Sequence, residues 1–300
     1  MTSTRSIGKF EYKKPGSLRT TLRILSNKGA DARILAGGTD LIPQIKQGQI
    51  SPSLVLDVKN VPELNRLDWN EDRGLRIGAA VPLSKLLTFV AISERYSILA
   101  QACSVIGSMQ IRNRGTIGGN ICNAAPSADS APALLCLGAR AIVASKNGNR
   151  KINLDDFFMA PGKTSIGADE LLVEIEVPTP PAHSAGCYMR HTTREEMDIA
   201  VAGVASFLTI APRSKKLKEV RIALGAVAPT PLRVHGAEAL LIGKSVTERI
   251  IEEVAEEAAE EAKPISDIRA SAEYRRELVK VLTRRTLWKS CEMLGIEIQR

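Results

Sequence analysis

The sequence predicts an α+β protein built in two parts, on the strength of three observations. An early β-α-β pattern closes on a double glycine. Pro178, Pro180 and Pro181 punctuate the middle of the chain, and beyond them long alternating strands give way to charged helices. The expected parts are residues 1–178, divided near residue 55 into subdomains 1–55 and 56–178, and residues 179–300.

The segment FEYKKPGSLRTTLRILSNKGADARILAGGTD opens with a short strand and turns at Pro15 and Gly16. Ser17 is placed to cap a helix whose apolar face is Leu18, Leu22 and Leu25, and Asn27 to Gly29 end it. A strand over Ala32–Leu35 runs into Ala36-Gly37-Gly38-Thr39-Asp40, and LIPQIKQG reads as a short helix. SLVLDVKNVPELN gives a strand and turn, and LRIGAAVPLSKLLTFV a strand followed by a helix from about Pro82 and Ser84. ISERYSILAQACSVIGS has one continuous helical period that stops at Gly107. A permissive stretch, RNRGTIGGNICNAAPSADS, leads into a helix over APALLCLGA that ends at Gly138. ARAIVAS and RKINL flank Asn147-Gly148, a strong hairpin signal, and ELLVEIEVP is a further strand. In the second part, CYMRHTTR, DIAVAGVASFLTIA and VRIALGAVA predict a three-stranded antiparallel sheet. TERIIEEVAEEAAEEAKP, with Ile250, Ile251, Val254, Ala255 and Ala258 on one face, and AEYRRELVKVLTRRTLWKSCEML predict the helices that cover it.

Composition excludes several classes of function. The net charge is +8, but the basic residues are interleaved with acids and aromatics are only 4%, so the chain has little with which to stack nucleic-acid bases. The start, MTSTRSIGKFEYKKP, lacks a signal-peptide apolar run and no span long enough for a membrane follows, so a cytoplasmic protein is expected. Five scattered cysteines without a CxxC predict neither a disulfide framework nor a metal cluster in this chain. Three isolated histidines and no HExxH argue against a zinc hydrolase, and the absence of G-x-S-x-G argues against a serine hydrolase. Gly162-Lys163-Thr164 and Gly243-Lys244-Ser245 imitate a P-loop, but Phe157 and Glu238 stand where its first glycine must be. No G-x-G occurs, so the Rossmann fingerprint is absent.

Two glycine segments remain, AGGTD at 36–40 and TIGGN at 116–120. Each is expected to take positive φ and to present consecutive N–H groups, which makes an anion-binding concavity without side-chain charge. A pair of them suggests a diphosphate held from two sides. Asp129 precedes a helix, and on local pattern it reads as an N-terminal cap or first-turn acid.

ILAGGTDLIPQIK, GSMQIRNRGTIGGNICNAAPSADSAPALLCLGA, YMRHTTREEMDIAVAGVA and SDIRASAEYRR, in this order, resemble the FAD-binding (medium) subunit of the molybdenum hydroxylases, of the carbon monoxide, nicotinate and xanthine dehydrogenase type. The likeness runs over essentially the whole chain. It implies a PCMH-type, vanillyl-alcohol oxidase-like fold of two subdomains around non-covalent FAD, followed by a C-terminal sheet and helical bundle. It places the first pyrophosphate loop at Leu35, Ala36, Gly37, Gly38, Thr39, Asp40 and Leu41, and the second at Thr116, Ile117, Gly118, Gly119 and Asn120. Asp129 becomes a cofactor hydrogen-bonding residue, while Ile106, Gly107 and Leu172 fall where relatives line the flavin or adenine. Arg190 stands where the family has a basic residue that reaches the flavin; the alternative is a strand-surface ion pair with Glu195 or Glu196. No catalytic residue and no metal ligand is expected. The family lacking a cysteine-bearing insertion fits better than the low-potential reductase type that carries one.

The function implied is electron transfer from [2Fe-2S] clusters of a small partner subunit, in a complex with a large molybdopterin subunit, to an external acceptor, as a dimer of heterotrimers. A free-standing PCMH-type flavin oxidoreductase and a non-redox assembly subunit are the alternatives. The sequence is silent on the substrate and on the acceptor.

Overall fold

The computed structural model describes residues 8–213 and 216–299, and the remaining ends of the expected ranges lie outside the described residues. A small parallel sheet comes first. Strand β1 (Glu11–Lys13) leads to helix α1 (Leu18–Lys28), β2 (Ala32–Leu35), α2 (Leu41–Lys46) and β3 (Leu54–Asp57), in the order β1-β3-β2. The central β3 is buried along its whole length, as a parallel strand covered on both faces must be. The Ser17 hydroxyl accepts the Thr20 N–H at 3.3 Å and Gly29 takes φ 50°, so α1 starts and stops where the sequence says.

A five-stranded antiparallel sheet and six helices follow. The elements are β4 (Leu67–Asn70), β5 (Gly74–Gly78), α3 (Leu83–Leu87), α4 (Val90–Arg95), α5 (Ser97–Ser104), α6 (Met109–Arg112), α7 (Ile117–Cys122), α8 (Ser130–Cys136), β6 (Arg140–Ser145) and β7 (Gly148–Asn153), then the small hairpin β8 (Phe158–Ala160) with β9 (Lys163–Thr164), and β10 (Leu171–Val177). The sheet order is β4-β5-β10-β6-β7. The single helix expected over ISERYSILAQACS is two, because Tyr96 leaves helical geometry (φ −125°, ψ 42°) between α4 and α5 and buries its ring completely. The helix α8 is buried at every position, which fits its composition of SAPALLC.

The last part is the sheet β11 (Ser184–His191), β12 (Ala202–Ile210), β13 (Leu217–Gly225) and β14 (Leu232–Arg233), with α9 (His235–Leu241), α10 (Glu248–Glu261) and α11 (Ala272–Met293) on one face. The expected three strands are four; β14 is a two-residue addition beside β13. All nine residues of β12 are buried, because its two faces serve different cores. Val204 and Leu208 pack with the helices, whereas Ala205 and Phe207 join Tyr188 and Ala223 in the core of the preceding sheet and helices. Among the described residues no helix is long and apolar enough to cross a membrane.

Candidate functional site

The two glycine segments, far apart in sequence, meet in space. A Cβ on Gly37 would lie 2.2 Å from the Arg114 carbonyl oxygen and 2.8 Å from Gly115 Cα, so only glycine allows this approach. A hydrogen bond from the Leu83 N–H to the Gly115 carbonyl (2.9 Å) ties the same turn to α3.

In the first segment Leu35 ends β2, Leu41 opens α2, and Ala36 packs against the core between them. Gly38 takes φ 78°. The carbonyls are used internally: Leu35 accepts from Val58 N–H at 3.1 Å, Gly38 from Ile42 at 3.2 Å and Asp40 from Gln44 at 3.1 Å. The N–H groups of Gly37, Gly38, Thr39 and Asp40 have no protein acceptor among the described residues. Four consecutive donors left over, in a half-open segment, form the kind of concavity that suits an anion.

The second segment corrects the expectation of positive φ. Gly118 and Gly119 have none; they form the first turn of α7, where Thr116 caps by accepting the Gly119 N–H at 3.0 Å. Ile117, fully buried, donates to Val81, and Asn120 donates to the Thr116 carbonyl. Gly118 is glycine for packing, since a Cβ would sit 2.5 Å from the Ala79 oxygen and 2.7 Å from its Cα. Ala79 in turn donates to the Val173 carbonyl of β10, and Leu172, the residue before it, is 3% exposed and lies in the main core. Ile106 and Gly107 lie just beyond α5. Gly107 takes φ 57°, and its carbonyl accepts the Met197 N–H at 3.4 Å, bringing the loop after β11 to this corner.

Asn120 Oδ1 accepts the Ser130 hydroxyl at 2.6 Å, which joins the second segment to the residue beside Asp129. Asp129 occupies the position before α8 but makes no capping bond. Its carboxylate turns toward β11 instead: Oδ1 accepts the Tyr188 hydroxyl at 2.7 Å and Oδ2 accepts Arg190 Nη1 at 2.7 Å. Both side chains of the ion pair are 7% exposed. Arg190 therefore pairs with Asp129, and the alternative of a surface pairing with Glu195 or Glu196 is not what forms; those two glutamates are exposed. Burial pushes the Asp129 carboxyl above its ordinary value, opposed by the charge of Arg190 and the Tyr188 hydrogen bond. Burial and the neighbouring carboxylate push the Tyr188 phenol well up, so it stays a neutral donor. Sequence reasoning missed Tyr188. The signal was present, since Tyr188 and Arg190 are two apart on a strand and must share a face.

The geometry thus offers unpaired amides at a point where two backbones touch only because glycine permits it, and a buried acid-base pair further along. It fits an extended ligand with a diphosphate. Residues 8–180 match the family model described as the FAD binding domain in molybdopterin dehydrogenase, and residues 188–290 match the CO dehydrogenase flavoprotein C-terminal domain. The chain belongs to this flavoprotein family. It is an FAD-binding medium subunit of the molybdenum hydroxylase type, an oxidoreductase component. The flavoprotein is 34% identical to the 6-hydroxypseudooxynicotine dehydrogenase complex subunit alpha of Paenarthrobacter nicotinovorans, over 94% of each chain. It is 32% identical to the carbon monoxide dehydrogenase medium chain of Hydrogenophaga pseudoflava, over 94% of this chain and 98% of that one. Among solved structures, a carbon monoxide dehydrogenase from H. pseudoflava that lacks the Mo-pyranopterin moiety of its cofactor superposes with a TM-score of 0.91 at 31% identity, covering 95% of this chain and 98% of that one.

Proposed function

We propose that this flavoprotein is the electron-transfer subunit of a molybdenum hydroxylase complex, with residues 1–178 as the cofactor-holding part and residues 179–300 as its C-terminal unit. Its partners are a large molybdopterin subunit and a small subunit with [2Fe-2S] clusters, assembled as a dimer of heterotrimers in the cytoplasm. Electrons arrive from the clusters and leave to an external acceptor. Bound FAD supplies the redox chemistry, linking one-electron carriers to acceptors that take one electron or two.

The chain's own residues bind, orient and tune. Gly37, Gly38, Thr39 and Asp40 donate N–H groups to the diphosphate, with Leu35, Ala36 and Leu41 fixing the ends of that segment. Thr116 and Gly119 set the turn on the opposite side with Ile117, Gly118 and Asn120. Ile106, Gly107 and Leu172 shape the apolar wall, and Asp129 with Arg190 forms the polar end. The observation that carries this reading is the run of four unpaired amides where Gly37 abuts Arg114 and Gly115.

Full-length chain purified with ample FAD is expected to be yellow and to release unmodified FAD on denaturation. Protein that keeps no flavin absorbance after gel filtration overturns the reading. Copurification of the native complex, with molybdenum and iron analysis, tests the partners; a lone chain that turns over a substrate would contradict the subunit role.

A further inference from the structure

The Asp129 carboxylate is gripped by a device that the binding of a diphosphate does not require. Two donors, one per oxygen, reach it from alternate positions of the same strand, and that strand belongs to the other half of the molecule. Tyr188 is itself held: its N–H donates to Gln101 Oε1 at 2.9 Å. Its hydroxyl occupies space left by Gly203 on the neighbouring strand, where a Cβ would come within 2.7 Å of Oη. Gly203 is also the register partner of Arg190. One missing side chain on β12 therefore makes room for the phenol beside the ion pair.

We propose that Tyr188 is a positioning residue: by fixing Asp129 against Arg190 as an oriented, electrically neutral pair, it lets the C-terminal unit set the charge presented to the cofactor. The proposal rests on the FAD reading for its consequence, though not for the pairing itself. An unpartnered guanidinium would contribute a full positive charge in a low-dielectric setting, whereas a pair at 2.7 Å contributes only a local dipole. The titratable and charged groups that face Asp129 are Arg190 and Tyr188 from β11 and the Cys103 thiol from α5. Burial keeps that thiol neutral by raising its pKa. Among the described residues Arg190 is the charged group paired with Asp129, and the phenol adds a further interaction that favours the ionised carboxylate.

The sign follows from linkage. Removing the hydroxyl takes away one of the interactions opposing burial, so the folded-state value of Asp129 rises further above its unfolded value. Such a group favours the folded state at low pH, and that contribution is lost as pH rises through the folded value. Tyr188→Phe should therefore cost the FAD-free full-length chain most at high pH, and the cost should fade as pH falls. Measured by denaturant unfolding across the pH range in which the folded chain takes up the Asp129 proton, the ratio of mutant to parent unfolding constants should change about tenfold, the equivalent of roughly one pKa unit. In the Asp129→Asn background, Tyr188→Phe should show a cost independent of pH. FAD retention by Tyr188→Phe relative to the parent should depend on pH, whereas in the Asp129→Asn background the same substitution should act equally at every pH.

A cost that is equal at every pH overturns the proposal, since a merely structural hydroxyl would give that result. A parent chain that keeps no FAD overturns the FAD reading and the cofactor consequence, while the FAD-free profiles still decide the pairing. If the parent keeps FAD and the mutant's pH profiles match it, the pairing proposal alone fails.

Discussion

The segments AGGTD and TIGGN look alike in sequence and use their glycines for different reasons. In the first, Gly38 needs its left-handed backbone and Gly37 needs the absence of a Cβ to reach the Arg114–Gly115 turn. In the second, neither glycine is left-handed; Gly118 makes room for Ala79, and Gly119 completes a helical turn capped by Thr116. A double glycine thus signals close approach, but the sequence does not say whether the approaching group is a ligand, another strand or the chain's own helix. The first segment is shaped by where its amides point, and the second by what stands behind it.

Substitutions can break this comparison. Gly118→Val should have the largest effect: its Cβ meets backbone that cannot move aside, at a cost of about 3 kcal/mol as overpacking. The unfolding midpoint in denaturant should drop with or without FAD, and a normally stable variant that merely loses flavin would show that Gly118 faces the ligand. Gly37→Ala should cost ~2 kcal/mol by the same mechanism, because a Cβ 2.2 Å from the Arg114 oxygen forces the two segments apart. Flavin absorbance after gel filtration should be lost even where circular dichroism is unchanged. Gly38→Ala forces a side chain into left-handed backbone at about 1.5 kcal/mol and should weaken FAD retention more than it weakens the FAD-free fold. Thr116→Ala removes the cap on α7 at about 1 kcal/mol and should have the smallest effect on the melting temperature. If Gly38→Ala destabilises the chain as much as Gly118→Val, the distinction between the segments fails.

The elements of the parallel subdomain were legible because each has a local cause in the sequence: Ser17 and Gly29 around α1, and the apolar run LVLD for a covered parallel strand. The hairpin at Asn147-Gly148 and the end of α8 at Gly138 were legible for the same reason, with φ of 131° at Gly148 and 66° at Gly138. Both glycine segments and Asp129 stand out from the residues themselves, and the family resemblance adds a cofactor role for Asp129 and points to Arg190. What escaped was set by tertiary contact. The break at Tyr96 depends on a pocket that buries its ring, and the strand β14 on a two-residue pairing too short to leave a periodic signal. The partner of Arg190 lies far back in the chain, whereas helix and strand patterns report only near neighbours. Tyr188 had the right spacing from Arg190, but nothing local says that both would turn to one carboxylate.

The strand β12 gives one face to each of the two cores, so it is a party wall rather than a boundary. The proline-rich stretch stands just before β11, where one family model ends at residue 180 and the next begins at residue 188. A party wall cannot be inherited by one house. Exchange of the C-terminal unit between relatives would have to carry a matching surface for α8, along with the tyrosine and arginine that hold Asp129. Recombination at the proline stretch is therefore a poor route to new members of such a lineage, and divergence of the two parts is expected to proceed in step.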